Sequence, residues 1–226
     1  MEKKDLLKDV IKHIDIKSYN STELIDAMRN MSFTSRDTAR AADILMMMCK
    51  EKECTNILTL AGSTSAAGCM QVYVDMVRNK MIDVVVATGA SIIDMDLFEA
   101  LGFKHYIGEK ENVIADTTLR DLYIDRIYDT YIDEEELQAC DHTTFEIANM
   151  LEARPYSSRE FIYEIGKWLH DGHAVKKDSL IQTCYECGVP IFVPAFSDSS
   201  AGFGIGKHQW ERMQKGEKYL SIDSVK

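Results

Sequence analysis

Three stretches of small and hydroxylated residues are where this sequence could do chemistry. They are Gly62-Ser63-Thr64-Ser65-Ala66-Ala67-Gly68, Thr88-Gly89-Ala90-Ser91 and Ala195-Phe196-Ser197-Asp198-Ser199-Ser200-Ala201-Gly202. Loops of this composition let backbone N–H groups approach a phosphate closely, and a helix N-terminus behind them adds partial positive charge. The first reads either as a diphosphate cradle or as a tight structural turn. It is not GxGxxG and lacks the lysine of a P-loop. Asp198 could bind a ribose hydroxyl or a cation, or simply brace its own turn. Asp94 and Asp96, just past the second stretch, could face a cationic substrate or cap the helix carrying Leu97 and Phe98.

Cysteine chemistry is a weaker candidate. Cys184 and Cys187 form a CxxC, which suits a redox pair or half of a zinc site. Zinc would need a second pair or matching histidines, and Cys140 with His142 stands alone, so no metal is expected. Free cysteine behaves as a small buried hydrophobe. Both residues are therefore expected on one helix ending at Gly188, with at least one packed inside.

The elements that must position these residues can be read around them. Ser21 is a candidate cap for a helix running to Met31, and Ser35 for one from Arg36 to Lys50. In the latter, Ala39, Ala42, Leu45, Met46 and Cys49 recur at helical spacing, and Met46-Met47-Met48 suits core filling or a subunit interface. Asn56–Ala61 and Ile82–Ala87 are short apolar runs without helical period, typical of buried strands, and Cys69–Lys80 between them is helical. Strand, loop, helix, strand, loop is a βαβ unit. The middle of the chain reads as helical, with Asp133–Glu136 placing acids in the first turn of a helix reaching Leu151. Helices follow from Arg159 to Leu169, capped by Ser157 or Ser158, and from Asp178 to Cys187. Val189–Pro194 is a third strand. The fold class is α/β, a parallel sheet flanked by helices with a helical N-terminal segment. In such a sheet, ligands collect beyond the carboxyl ends of the strands, where all three loops lie.

Composition narrows the function. The chain has 226 residues and a net charge of −11. That argues against a nucleic-acid backbone binder, which carries a basic face. No apolar run is long enough to span a membrane, and the first residues lack a signal peptide's apolar core. Nothing marks a linker or a repeat. The expectation is one cytoplasmic domain over residues 1–226.

Taken together, several segments resemble the deoxyhypusine synthase family, and its prokaryotic deoxyhypusine-synthase-like branch more than the eukaryotic enzyme. They are Gly62–Gly68, Asn79–Ala90, Leu119–Tyr128, Arg154-Pro155-Tyr156-Ser157-Ser158-Arg159-Glu160 and Val189–Asp198. The resemblance implies a Rossmann-like fold, a homotetramer and bound NAD. It implies oxidation of spermidine and transfer of its aminobutyl group through an enzyme lysine to a translation-factor lysine or, in relatives, to a small amine. By motif, Gly62, Ser63, Thr64, Ser65 and Ala66 match one NAD-contacting loop, Thr88, Gly89 and Ala90 a second, and Asp198 another NAD contact. Asp94 falls near the acids that hold the polyamine.

Two departures qualify it. Phe203 stands where the eukaryotic enzyme has an amine-binding aspartate, so a cationic amine loses a charge-assisted partner there. The sequence ends at Lys226, before the family's further NAD segment, its amine-site histidine and tryptophan, and its nucleophilic lysine. The expectation is an incomplete catalytic apparatus in these residues: a fragment, a split half, or a non-catalytic paralogue supporting a complete subunit.

Overall fold

A computed structural model of the chain describes residues 1–108 and 114–226. Its centre is a parallel sheet of β1 (Ile57–Leu60), β2 (Val84–Ala87) and β7 (Ile191–Phe192), in the order β1-β2-β7. Leu60 pairs with Ala87, and Val85 with Ile191, so all three strands point their carboxyl ends the same way. The expected α/β architecture is present. The strands are shorter than the apolar runs. Of the sheet's residues Val85 and Ile191 are buried, whereas Ile57 and Phe192 are exposed.

Helices α4 (Met70–Arg78), α8 (Ser158–Trp168) and α9 (Leu180–Cys187) cover the sheet. Behind β2 a helical run, Ala90–Leu97, continues directly into α5 (Phe98–Ala100). Ile92, Ile93, Leu97 and Phe98 on that run are all sealed from solvent. Burying each such side chain is worth about 1.5–3 kcal/mol, which makes this run the anchor of the core. Helices α7 (Glu134–Met150) and α10 (Ser200–Gln214) pack on each other along their length.

Helix ends follow local chemistry. Asp133 accepts from the N–H groups of Glu135 and Glu136 at the start of α7. Ser157 caps α8 in a capping box with Glu160. Ser179 caps α9, and Gly188 closes it in the left-handed conformation that glycine reaches without strain. Cys184 is buried and Cys187 exposed on that helix, and burial drives the Cys184 thiol above its ordinary value.

The N-terminal part differs from expectation. After a short α1 (Lys3–Leu6), helix α2 spans Thr22–Met28 and stops short of Met31. Ser21 makes no cap bond; Asn20 Oδ1 accepts from Thr22 N instead. Helix α3 spans Phe33–Lys50, so Ser35 lies inside it rather than at its end. Its apolar stripe is mostly uncovered: only Ala39 is buried, and Met46 and Met47 are exposed.

The middle of the chain is not simply helical. After α6 (Asp116–Asp121), β4 (Ile124–Ile127) and β5 (Thr130–Asp133) form a hairpin, joined by β3 (Tyr106–Ile107) in an antiparallel sheet. Its turn holds Tyr128 at φ 55°, a conformation with no glycine to mark it in the sequence. Residues Pro155–Tyr156 (β6) and Ser221–Ile222 (β8) form a small parallel pair.

Candidate functional site

The three small-residue loops meet at the carboxyl ends of β1, β2 and β7. The Thr88 N–H donates to Leu60 O at 3.1 Å, extending the β1–β2 ladder into the loops. Ser91 Oγ donates to Gly62 O at 3.0 Å and lies 2.9 Å from Thr88 Oγ1, tying the first loop to the second. Gly62 adopts φ +71° and nothing lies within 4 Å of where its Cβ would be, so its backbone faces open space. Gly89 is the opposite case. A Cβ there would come within 2.7 Å of Ser199 and 3.2 Å of Asp198 O, so glycine is what lets the second and third loops touch.

The residues expected to act do not all reach the crevice. Gly62, Thr64, Thr88 and Asp198 are exposed, and Ser63 and Ala90 are half-buried. Thr64 Oγ1 accepts from Tyr73 Oη at 2.8 Å. Ser65 and Ala66 are buried in the turn Ser65–Cys69, where Ser65 Oγ meets Met95 Sδ at 3.3 Å; their side chains shape the loop. The Asp198 carboxylate makes no hydrogen bond to the described residues.

Asp94 and Asp96 do not cap the helix carrying Leu97 and Phe98. Both sit within the Ala90–Ala100 run and reach other helices. Asp96 is fully buried and accepts from the N–H groups of Leu180 and Ile181 at 2.8 and 2.7 Å, fixing the start of α9. Asp94 Oδ1 accepts from Ser200 N at 2.7 Å, at the start of α10. Burial pushes the Asp94 carboxyl up to about 6 against the pull of its Ser200 bonds, and the nearby charges of Asp141 and Asp198 add to the rise. Asp141 shares the Ser200 side chain, and its Oδ1 is buried with no partner among the described residues.

Ser91 and Ser200 lie in the second and third stretches but carry no role of their own in the sequence reading, and Asp141 is not singled out there. Ser91 closes the second loop and could have been weighed with Thr88. Asp141 lies mid-helix among ordinary polar neighbours and gives no signal.

A cavity of about 710 Å³ opens beside the exit of β7. Pro194–Ser197 line it together with the start of α8, α10 around Gly202 and Ile205, and the segment from Ile222 to Lys226. It meets the third loop at Ala195–Ser197 and Gly202, but none of residues 62–66, 88–90, Asp94 or Asp198 lines it.

Residues 23–226 match the model of the family described as deoxyhypusine synthase. The chain belongs to the deoxyhypusine synthase family. It is 65% identical over 224 residues to a deoxyhypusine synthase-like protein of Caulobacter vibrioides, covering 99% of this chain and 60% of that protein. It is 58% identical over 224 residues to one of Coxiella burnetii, covering 99% and 62%. The resemblance to the bacterial branch is therefore correct. The chain spans about three fifths of the length of these relatives. A crystal structure from Entamoeba histolytica assigned to deoxyhypusine synthase superposes with a TM-score of 0.64 at 19% identity, covering 95% of this chain and 71% of that one. The deoxyhypusine synthase fold is thereby supported. Among the described residues, no helix is long and apolar enough to cross a membrane.

Proposed function

We propose that this chain is the part of a deoxyhypusine synthase-like enzyme that holds NAD and one end of a polyamine. The reaction is transfer of an aminobutyl group from spermidine to an acceptor amine, a protein lysine or a small polyamine. One observation carries the reading: three loops at the carboxyl ends of parallel strands converge on an acidic corner made by Asp94, Asp141 and Asp198. In an open parallel sheet that crevice is where dinucleotides bind.

The residues present fit such a cofactor. The open backbone at Gly62 and Ser63 suits a diphosphate, because N–H groups facing open space favour an anion. Thr88 and Ala90 would line the cofactor from the second loop, with Gly89 giving the close approach. Ser65 and Ala66 would act by shaping the first loop. The uncommitted Asp198 carboxylate suits ribose hydroxyls, which it can accept from in pairs. When bound, NAD would accept hydride from the amine substrate. Asp94 and Asp141 would orient the cationic end of the polyamine, and the orphaned Asp141 oxygen gives an ammonium group a reason to enter.

Association between copies fits the same picture. The arm made by α2 and α3 exposes Leu24, Met31, Phe33, Met46 and Met47, more apolar side chain than a lone arm would be expected to present. We place the assembled enzyme, a homo-oligomer and on family grounds a tetramer, in the cytoplasm, where its six free cysteines stay reduced.

Calorimetric titration of this chain with NAD, then with spermidine, tests the reading. Saturable NAD binding that falls at least about tenfold in Asp198→Ala, the loss expected from one charge-assisted contact, supports it. A folded chain that binds no NAD, or an Asp198→Ala variant of unchanged affinity, removes the cofactor or Asp198 from the account respectively.

A further inference from the structure

We propose that His13 is a positioning residue that joins the helices leaving the first and second loops and sets the spacing between those loops. The inference rests on the reading of these loops as the cofactor site. His13 lies on an extended N-terminal segment that is not part of the central sheet, yet its ring is largely buried between α4 and α5. Its Nδ1 accepts from Met70 N at 3.2 Å, across 57 residues of sequence. Its Nε2 lies 2.6 Å from Glu99 Oε2. Because Nδ1 accepts, Nε2 carries the proton and donates, so one neutral tautomer satisfies both bonds.

Those two partners belong to the two loops. Met70 opens α4, which leaves the first loop through Gly68. Glu99 sits on α5, the continuation of the helical run that leaves the second loop. Glu99 is itself held firmly: His105 Nδ1 lies 2.9 Å from its Oε1, and Lys176 Nζ donates to its Oε2 at 2.5 Å. Burial opposes its charge, but the bonds from His105 and His13 and the Lys176 cation hold the carboxyl well below the ordinary range.

The segment carrying His13 is fixed at both ends by bonds that do not involve the ring. Ile14 N donates to Gly68 O at 2.9 Å, Ile11 N to His105 O at 2.9 Å, and Lys17 Nζ to Asp75 Oδ1 at 2.7 Å. At Gly68, where φ is +94°, a Cβ would lie 2.8 Å from Lys12 O, so the loop turns at glycine against this strap. The chemistry of the cap is informative too. Helices α7, α9 and α10 each receive a carboxylate at their first N–H groups, from Asp133, Asp96 and Asp94. The start of α4 receives a neutral imidazole instead. The imidazole acceptor pairs the buried Met70 N–H beneath the strap and adds no carboxylate to the start of α4.

Hydrogen exchange of the whole chain, read by mass spectrometry and NMR, tests the clamp beside NAD calorimetry. In the wild type the Met70 amide should be protected like the interior of α4; exchange at the rate of an open loop overturns the proposal without any variant. His13→Leu should speed exchange across residues 62–70 and weaken NAD by at least about tenfold, since the Met70 bond and the charge-assisted Glu99 bond are both lost. His13→Gln can accept from Met70 and donate to Glu99 through one amide, and should restore both. Unchanged exchange in a folded His13→Leu overturns the proposal, as does a His13→Gln that behaves like it. Absence of NAD binding by the wild type would instead sink the cofactor reading, and the exchange results would then decide the clamp alone.

Discussion

Two glycines two residues apart on α10 should respond to alanine with opposite signs. A Cβ at Gly204 would lie 2.5 Å from Asp141 O and 2.9 Å from Phe145 N, and closer still to Thr144 Oγ1. Comfortable separations are about 3.5–4.0 Å, so α10 would have to retreat from α7 by roughly 1 Å. Two of the three obstacles are backbone atoms and cannot swing away. Overpacking of this kind costs about 1–3 kcal/mol, and the upper end applies where backbone must move. Alanine's better helix propensity returns about 1 kcal/mol, leaving Gly204→Ala destabilised by about 2 kcal/mol. At Gly206, exposed on the same helix, nothing lies within 4 Å of the added carbon. Gly206→Ala therefore keeps only the propensity gain and should be stabilised by about 1 kcal/mol. Urea unfolding followed by far-UV circular dichroism measures both, with midpoints compared at a common slope. A Gly204→Ala variant as stable as the wild type would refute the reasoning, because it would mean α7 and α10 are not in the close contact that sets Ser200 against Asp94.

Two further predictions concern the site and the arm. Asp94 keeps its proton until about pH 6, so it presents a carboxylate to a cationic amine only above that value. Spermidine affinity should rise as pH passes from 5 to 7, and Asp94→Asn should flatten the rise; a slope that survives in the variant assigns it to another group. The same shift has a stability consequence of fixed sign: its folded pKa lies above the unfolded value, so its contribution is present below about pH 4 and lost as pH rises through about 6. Phe33, 90% exposed at the start of α3, should anchor the contact between copies. Light scattering after size exclusion should show Phe33→Asp as a single 25.7 kDa chain and the wild type as a multiple of it; equal masses would remove the arm from the interface.

What was legible in the sequence followed from periodicity and small residues. Val84–Ala87 and Ile57–Leu60 are β-branched or apolar runs ending in glycine-rich turns, and such runs have few alternatives to a buried parallel strand. Helix stops at Gly188 and starts at Ser157 were legible because each rests on local chemistry within four residues. The hairpin of β4 and β5 was not, since Tyr128 replaces the usual Asn-Gly signal with an unmarked positive φ. The start of helix α3 is not legible, because Ser35 looks like a cap while the chain turns two residues earlier at Phe33.

The site divides along the same line. Loops can be recognised from composition, but what holds them in relation to one another is long-range. Asp94 and Asp96 look alike in sequence, two residues apart on one helical run, and local reasoning offers both the same two roles, facing a cationic substrate or capping a helix. The structure separates them by what each meets. Asp96 is sealed against the start of α9, where two N–H groups use its oxygens and no ligand can reach it. Asp94 is only half-buried, takes its bonds from Ser200 alone at the start of α10, and stands beside Asp141 and Asp198 at the strand ends. A carboxylate committed on both oxygens builds the scaffold, while one with capacity to spare beside like charges gains by meeting a cation. That difference in spare bonding capacity, more than the resemblance of any loop, is the physical reason to look for a polyamine at Asp94 and not at Asp96.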